Sequence, residues 1–194
     1  LIIFPVLLQP DFGSTLVYAS IATAIYFAAG ARLRHIGFGL LVVFLFMLLV
    51  IPNVGYLKHR FTSFVNPSIE NCEPAAKEGE ITRNYCWQTQ QAKIAVGSGQ
   101  FFGKGLTQGI QKSYWLPQAT DDFIFAASAE ELGFLRIFMI VIAYVVIAYR
   151  GIVIAQFAPD QFSRLVAVGI TSWLTFQAFI NIGVNIGLMP VTGI

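Results

Sequence analysis

Charge is what this chain has least of. Only 11% of its 194 residues are Asp, Glu, Lys or Arg, against about a quarter in soluble domains. The net formal charge is +2, and no basic run accompanies it, so nothing points to a nucleic-acid partner. Histidine and cysteine number two each. His35 and His59 have no ligand spacing to Cys72 or Cys86, which argues against a metal site built on them. Phosphate-binding motifs are missing too. Gly103-Lys104 is followed by Gly105, and Ser98 stands where a Walker motif needs its first glycine. A dinucleotide fingerprint starting at Gly97 fails because Gly103 comes one residue late. There is no leading Met. The chain opens inside an apolar run and ends just after another, which reads as an internal fragment and not as a signal-peptide-bearing whole.

What is abundant is apolar surface: 56% of residues are hydrophobic, 18 of them Phe. This composition predicts an integral membrane protein, all-α, with residues 1–194 forming one polytopic helical domain. Leu1 to Leu8 is too short to span and reads as the end of a helix. Gln9-Pro10-Asp11 breaks it, with Asp11 able to cap the next helix. Uncharged or nearly uncharged runs predict spans over 14–31, 36–57, 123–149 and 165–189. Arg32 and Arg34 mark one short loop, and Arg150 and Arg164 another. The excess of basic residues in cytoplasmic loops puts both inside and the long polar segment 58–121 outside.

The polar chemistry concentrates between Tyr85 and Gly133. Glycines 97, 99, 103, 105 and 109 predict tight turns and close backbone approach. Trp87, Gln91, Ile94 and Ala95 share a face at helical spacing, predicting a short interfacial helix. Cys72 and Cys86 lie in the same outer segment, where a disulfide and two free thiols are both open. Asp121 and Asp122 stand where this segment meets the third apolar run. Either could be a helix cap, but carboxylates at a membrane helix are costly and tend to be functional. At about 100° per residue, Glu130 falls roughly a quarter-turn from the face of Asp122 and about 12 Å further along, with Glu131 on the opposite side. Such acids need partners, expected from Lys or Arg on neighbouring helices, or else serve proton relay or ligand contact.

These residues carry a resemblance. QPDFGS (9–14), the Arg60-x-x-x-Phe64-x-Asn66-Pro67 segment, WQTQQAKIAVGSG (87–99), GKGL, Gln111-Lys112, Leu116-Pro117, DFIFA, EELGF and NIGVNIGLMPVTGI occur in order. Together they resemble the SEDS family (shape, elongation, division and sporulation), over nearly the whole chain but only the central and later part of the family's length. The family pattern Glu-Ala-His-Thr before the Asp is here Gln118, Ala119, Thr120, Asp121, while Asp122 keeps the Asp position. The segment between Asn66-Pro67 and Trp87 is longer than the family's and contains both cysteines.

The resemblance implies an inverting peptidoglycan glycosyltransferase of the bacterial cytoplasmic membrane, polymerising lipid II in division or elongation. Inversion needs a base for the acceptor hydroxyl and positive charge for the departing pyrophosphate. The resemblance makes Asp122 the base, Arg60 and Lys112 candidate phosphate partners, and Gln88 and Gln91 candidate sugar contacts. Lys93 and Lys104 read as solvated loop charges. No cofactor is required, although a divalent cation could assist the leaving group. The resemblance implies a polymerase lacking its own transpeptidase, and hence a class B penicillin-binding protein as partner, beside other divisome or elongasome membrane proteins. Nothing in this sequence resembles a Ser-x-x-Lys module, which is consistent with that. Gly169, Gly183 and Gly187 are the candidate close-packing surface for it. Two rival readings differ in class: a flippase for the same lipid, using Glu130, Glu131 and Arg136 along a path, and a scaffold recruiting synthases.

Overall fold

A computed structural model of the chain describes residues 12–39, 41–42, 45, 64–65, 85–116 and 119–190. All regular structure among the described residues is helical. The named helices are α1 (Phe12–Ala28), α2 (Tyr85–Ser98), α3 (Gln111–Tyr114), α4 (Ile124–Gln156) and α5 (Gln161–Asn185). Helical backbone also covers 33–39, where the second expected span begins. The rest of that span is described only at 41, 42 and 45. The Gln9–Asp11 turn, Arg60 and Cys72, and with it the cysteine pairing, lie outside the described residues.

Among the described residues, those from 12 to 45 and 140–179 form one compact unit. Its helix α1 closes by a Schellman motif. Gly30, at φ +87°, donates its N–H to Phe27 O, and Ala31 N–H reaches Tyr26 O. That ending places Arg32 and Arg34 just past the helix and stops it short of the expected residue 31. Small residues set the packing in this unit. A Cβ on Gly151 would overlap the Thr171 side chain, and one on Gly169 would press on Ile25. Val145, Ile154 and Trp173 are more than half exposed, as lipid-facing side chains of membrane helices are.

The boundaries of α4 and α5 have local causes. α4 continues past Arg150 to Gln156 because nothing breaks it before Pro159, whose ring disfavours helix at the preceding residue. α5 starts at Gln161, earlier than expected, because Asp160 caps it. Ser163 N–H donates to Asp160 Oδ2 and its hydroxyl to Oδ1, both at 2.8 Å. α4 and α5 are also the two described helices long and apolar enough to cross a membrane.

Among the described residues, those from 64 to 139 and 180–190 form the second unit. It holds α2, the loop after it, α3, the start of α4 and the end of α5. α5 ends at Asn185 and not at 189 through a second Schellman motif. Gly187, at φ +73°, donates to Val184 O, and Leu188 N–H reaches Gly183 O at 2.8 Å. The three glycines expected to form a partner-facing surface therefore face this chain instead. Gly169 meets Ile25, Gly183 meets Met189, and the Lys93 side chain lies over Gly187.

Candidate functional site

The site is assembled in the second unit around an interruption in α4. Gly133 sits at φ +76°, ψ 171°, outside any helical region, so the helix is broken there. Its flanking backbone groups are satisfied by the loop after α2. Phe134 N–H donates to Gln100 O at 2.8 Å and Leu135 N–H to Phe101 O at 3.2 Å. In return Glu130 O accepts from Lys104 N–H and Glu131 O from Gly105 N–H. In an unbroken helix these N–H and C=O groups would bond one another, so the loop is spliced into the helix by exchange.

Such an approach of two backbones leaves no room for side chains. A Cβ at Gly99 would overlap the Ala129 carbonyl, one at Gly103 the Glu131 carbonyl, and one at Gly133 the Gly103 nitrogen. α2 leads into this contact with a stripe of Gln88, Gln91, Ala92 and Ala95, all buried. The stripe differs from the expected face, since Ile94 is half exposed and Gln88 takes its place. Alanines with no exposed surface allow the close approach that Ile94 would block.

Glu130, fully buried, is the centre of the clamp. Its Oε1 accepts from Lys104 Nζ at 2.6 Å and from Ile110 N–H at 3.2 Å, while Oε2 accepts from Gln111 N–H at 3.0 Å. Ser98 Oγ adds a longer contact at 3.4 Å. Glu131 takes Lys112 Nζ at 2.5 Å and Gly109 N–H at 3.4 Å. Both acids are thus partnered, Glu130 by Lys104 of the loop after α2 and Glu131 by Lys112 of the short helix α3, and not from a neighbouring long helix. Lys104, read from sequence as a solvated charge, is the counter-ion of a buried carboxylate. Its side chain remains one-third exposed.

Asp122 stands at the other end of this short helical segment. Phe123 beside it is fully buried, whereas Asp121 is exposed. Two asparagines one turn apart on α5 hold the start of α4. Asn181 and Asn185 donate through Nδ2 to Asp122 O at 3.1 and 3.0 Å, and Asn185 Oδ1 accepts from Ala126 N–H at 2.9 Å. Asn185 is fully buried and also donates to Asn181 O. The Asp122 backbone is therefore pinned from a separate helix, and one orphan N–H of the first turn is satisfied.

The sequence-predicted residues that are described differ in their surroundings. Asp122 is half-buried at the junction of loop and helix, while Lys112 belongs to the acid clamp. Gln88 and Gln91 are 6% and 7% exposed, so they line the interior of the unit and are not presented to solvent. Arg60 lies outside the described residues. Sequence reasoning reached Asn181 and Asn185 only as letters of a longer motif. Their signal was two amides at i, i+4 in an apolar helix, where a polar side chain needs a partner. Among the described residues, no three His, Cys, Asp or Glu side chains are grouped to hold a metal.

The FtsW/RodA/SpoVE family, described as cell cycle protein, matches residues 1–194. Stage V sporulation protein E of Bacillus subtilis is 42% identical over 190 residues, covering 97% of this chain and 49% of that protein. The probable peptidoglycan glycosyltransferase FtsW of Legionella pneumophila is 40% identical over 192 residues, covering 97% and 46%. Among solved structures, a chain of a peptidoglycan synthase complex that coordinates polymerization and crosslinking superposes with a TM-score of 0.70. It is 25% identical and covers all of this chain and 50% of that one. The chain thus spans about half the length of these relatives. Matched from end to end, with a helix order that superposes on the solved relative, it belongs to the SEDS family of membrane proteins, the FtsW/RodA/SpoVE group.

Proposed function

We propose that this chain is the catalytic half of an inverting peptidoglycan glycosyltransferase in the bacterial cytoplasmic membrane, polymerising lipid II during division or elongation. The observation that carries the reading is the pinned carboxylate position. Asp122 sits where a polar loop enters an apolar helix, and its carbonyl is held by Asn181 and Asn185. A base acting on a lipid-linked sugar has to be fixed at this boundary, because the substrate's chain stays in the bilayer while its sugars lie above it. Asp122 takes the proton of the acceptor 4-hydroxyl, that oxygen attacks the anomeric carbon, and the bond to pyrophosphate breaks with its electrons. Lys112 and Arg60 neutralise the departing pyrophosphate, Lys112 exchanging Glu131 for phosphate oxygen. Gln88 and Gln91 contact sugar only if the buried face of α2 opens. The reaction is read as needing no resident cofactor, and a divalent cation would act on the leaving group alone.

The experiment is made on the full-length protein with purified lipid II, scoring glycan strands on a gel. Removing a general base costs about 10²–10⁴-fold in rate, so Asp122→Asn abolishes detectable polymer while membrane insertion persists. Asp121→Asn keeps most of the activity. The reverse pattern would refute the assignment. The flippase reading loses ground because Glu130 and Glu131 are engaged by lysines, and Arg136 bonds to the carbonyls of Phe102 and Leu132.

A further inference from the structure

We propose that the Phe101–Phe102 turn is inserted into the membrane–water interface, seated on bulk phospholipid. It would pin the loop, and with it the start of α4, at the bilayer surface. Phe101 and Phe102 are 69% and 77% exposed. In a polar loop surrounded by water, two adjacent phenylalanines this bare would be a liability. Their surroundings are not those of a water loop. Phe101 packs edge-on against Phe134, with ring centroids 6.1 Å apart, and Phe134 stacks on Phe138 at 5.8 Å. The aromatic surface therefore runs without interruption from the turn onto the apolar body of α4.

Two further observations fix the environment. Irregular backbone at membrane depth survives only if its polar groups are satisfied within the protein. The carbonyls here meet that requirement. Gly99 O accepts from Gly103 N–H, Gln100 O from Phe134 N–H, and Phe101 O from Leu135 N–H. Phe102 O accepts from Arg136 Nη1 at 3.2 Å. Arg136 then sets the depth. A guanidinium on an apolar helix is costly in the hydrocarbon core and favourable at headgroup level, where it meets phosphate. The turn it holds lies at the same level, with the rings reaching toward the acyl boundary. The proposal uses no step of the polymerisation reading and stands or falls apart from it.

The test places p-benzoyl-phenylalanine, a photo-crosslinking aromatic close in shape to the native ring, at position 102 of the full-length protein in phospholipid membranes. Parallel variants carry it at Met139, exposed on the α4 span, and at Gln108, exposed further along the loop. After irradiation, mass spectrometry scores adducts. Phospholipid adducts at position 102 should match those at 139 and exceed those at 108 several-fold. Adducts at 139 with none at 102 would overturn the proposal. So would adducts at 102 confined to protein peptides, meaning another part of the protein covers the turn, or confined to polyprenyl lipid. Absence of adducts at both 102 and 139 would equally overturn it, since the α4 surface that the turn continues would then not face phospholipid.

Discussion

Glu130 has no exposed surface, yet it is a carboxylate on a helix that is otherwise largely apolar. Its charge is tolerated because Lys104 Nζ and two backbone N–H groups converge on it. Replacing it by Gln would leave the ammonium without a counter-charge and turn an amide NH2 toward an N–H. Breaking a fully buried pair from one side costs about 3–5 kcal/mol, and the one-third exposure of Lys104 makes this loss smaller, so Glu130→Gln should lower the thermal midpoint of the full-length protein in detergent. Lys104→Met added to it should recover part of that loss, and strictly additive effects would show that the pair is not coupled. The sequence made the need for a partner legible, because an acid in an apolar run demands one. It did not reveal which partner. The 100° rule put Glu130 and Glu131 on different faces, but the loop wraps the segment and reaches both. That wrapping depends on backbone approach at Gly99 and Gly103, which no side-chain pattern reports.

At the level of elements, the apolar runs made α4 and α5 legible, and their ends are set by Pro159, the Asp160 cap and Gly187. The break at Gly133 was not legible, because a lone glycine in a helical run is usually tolerated. Only the loop's use of the freed N–H groups makes this one a break. Backbone of this kind is essentially restricted to glycine and costs other residues about 1–3 kcal/mol. Gly133→Ala should lose at least that much in thermal unfolding, with the overlap on Gly103 adding to it. Gly97→Ala, which meets nothing within 4 Å, should be neutral or slightly stabilising on helix propensity. The Asp160 cap gives a pH test. The Ser163 N–H bond holds its carboxyl below the usual Asp value of 3.8. A depressed folded-state pKa means stability present above the unfolded value and lost as pH falls through the folded one. The thermal midpoint difference between the protein and Asp160→Ala should therefore be constant near neutrality and shrink as pH drops below about 3.8. A difference that grew on acidification would overturn the cap's charge dependence.

For the molecule as a whole, composition alone announced a membrane protein, and the exposed apolar residues of α4 and α5 agree with that. What composition could not supply is how polymerisation is joined to crosslinking. On the proposed polymerase reading, crosslinking is the task of a second protein. The solved relative belongs to a complex in which polymerization and crosslinking are coordinated. We predict that the full-length protein makes glycan strands from lipid II faster when its cognate class B penicillin-binding protein is present. A penicillin-binding protein with its transpeptidase serine replaced should stimulate equally, since the effect would be structural and not a pull from product removal. Gly169, Gly183 and Gly187, the surface expected from sequence for that contact, each lie against a side chain of this chain, Ile25, Met189 and Lys93. Substitution there should lower stability rather than selectively break the complex. Equal polymerisation rates with and without the partner would remove the coupling, leaving a polymerase that works alone.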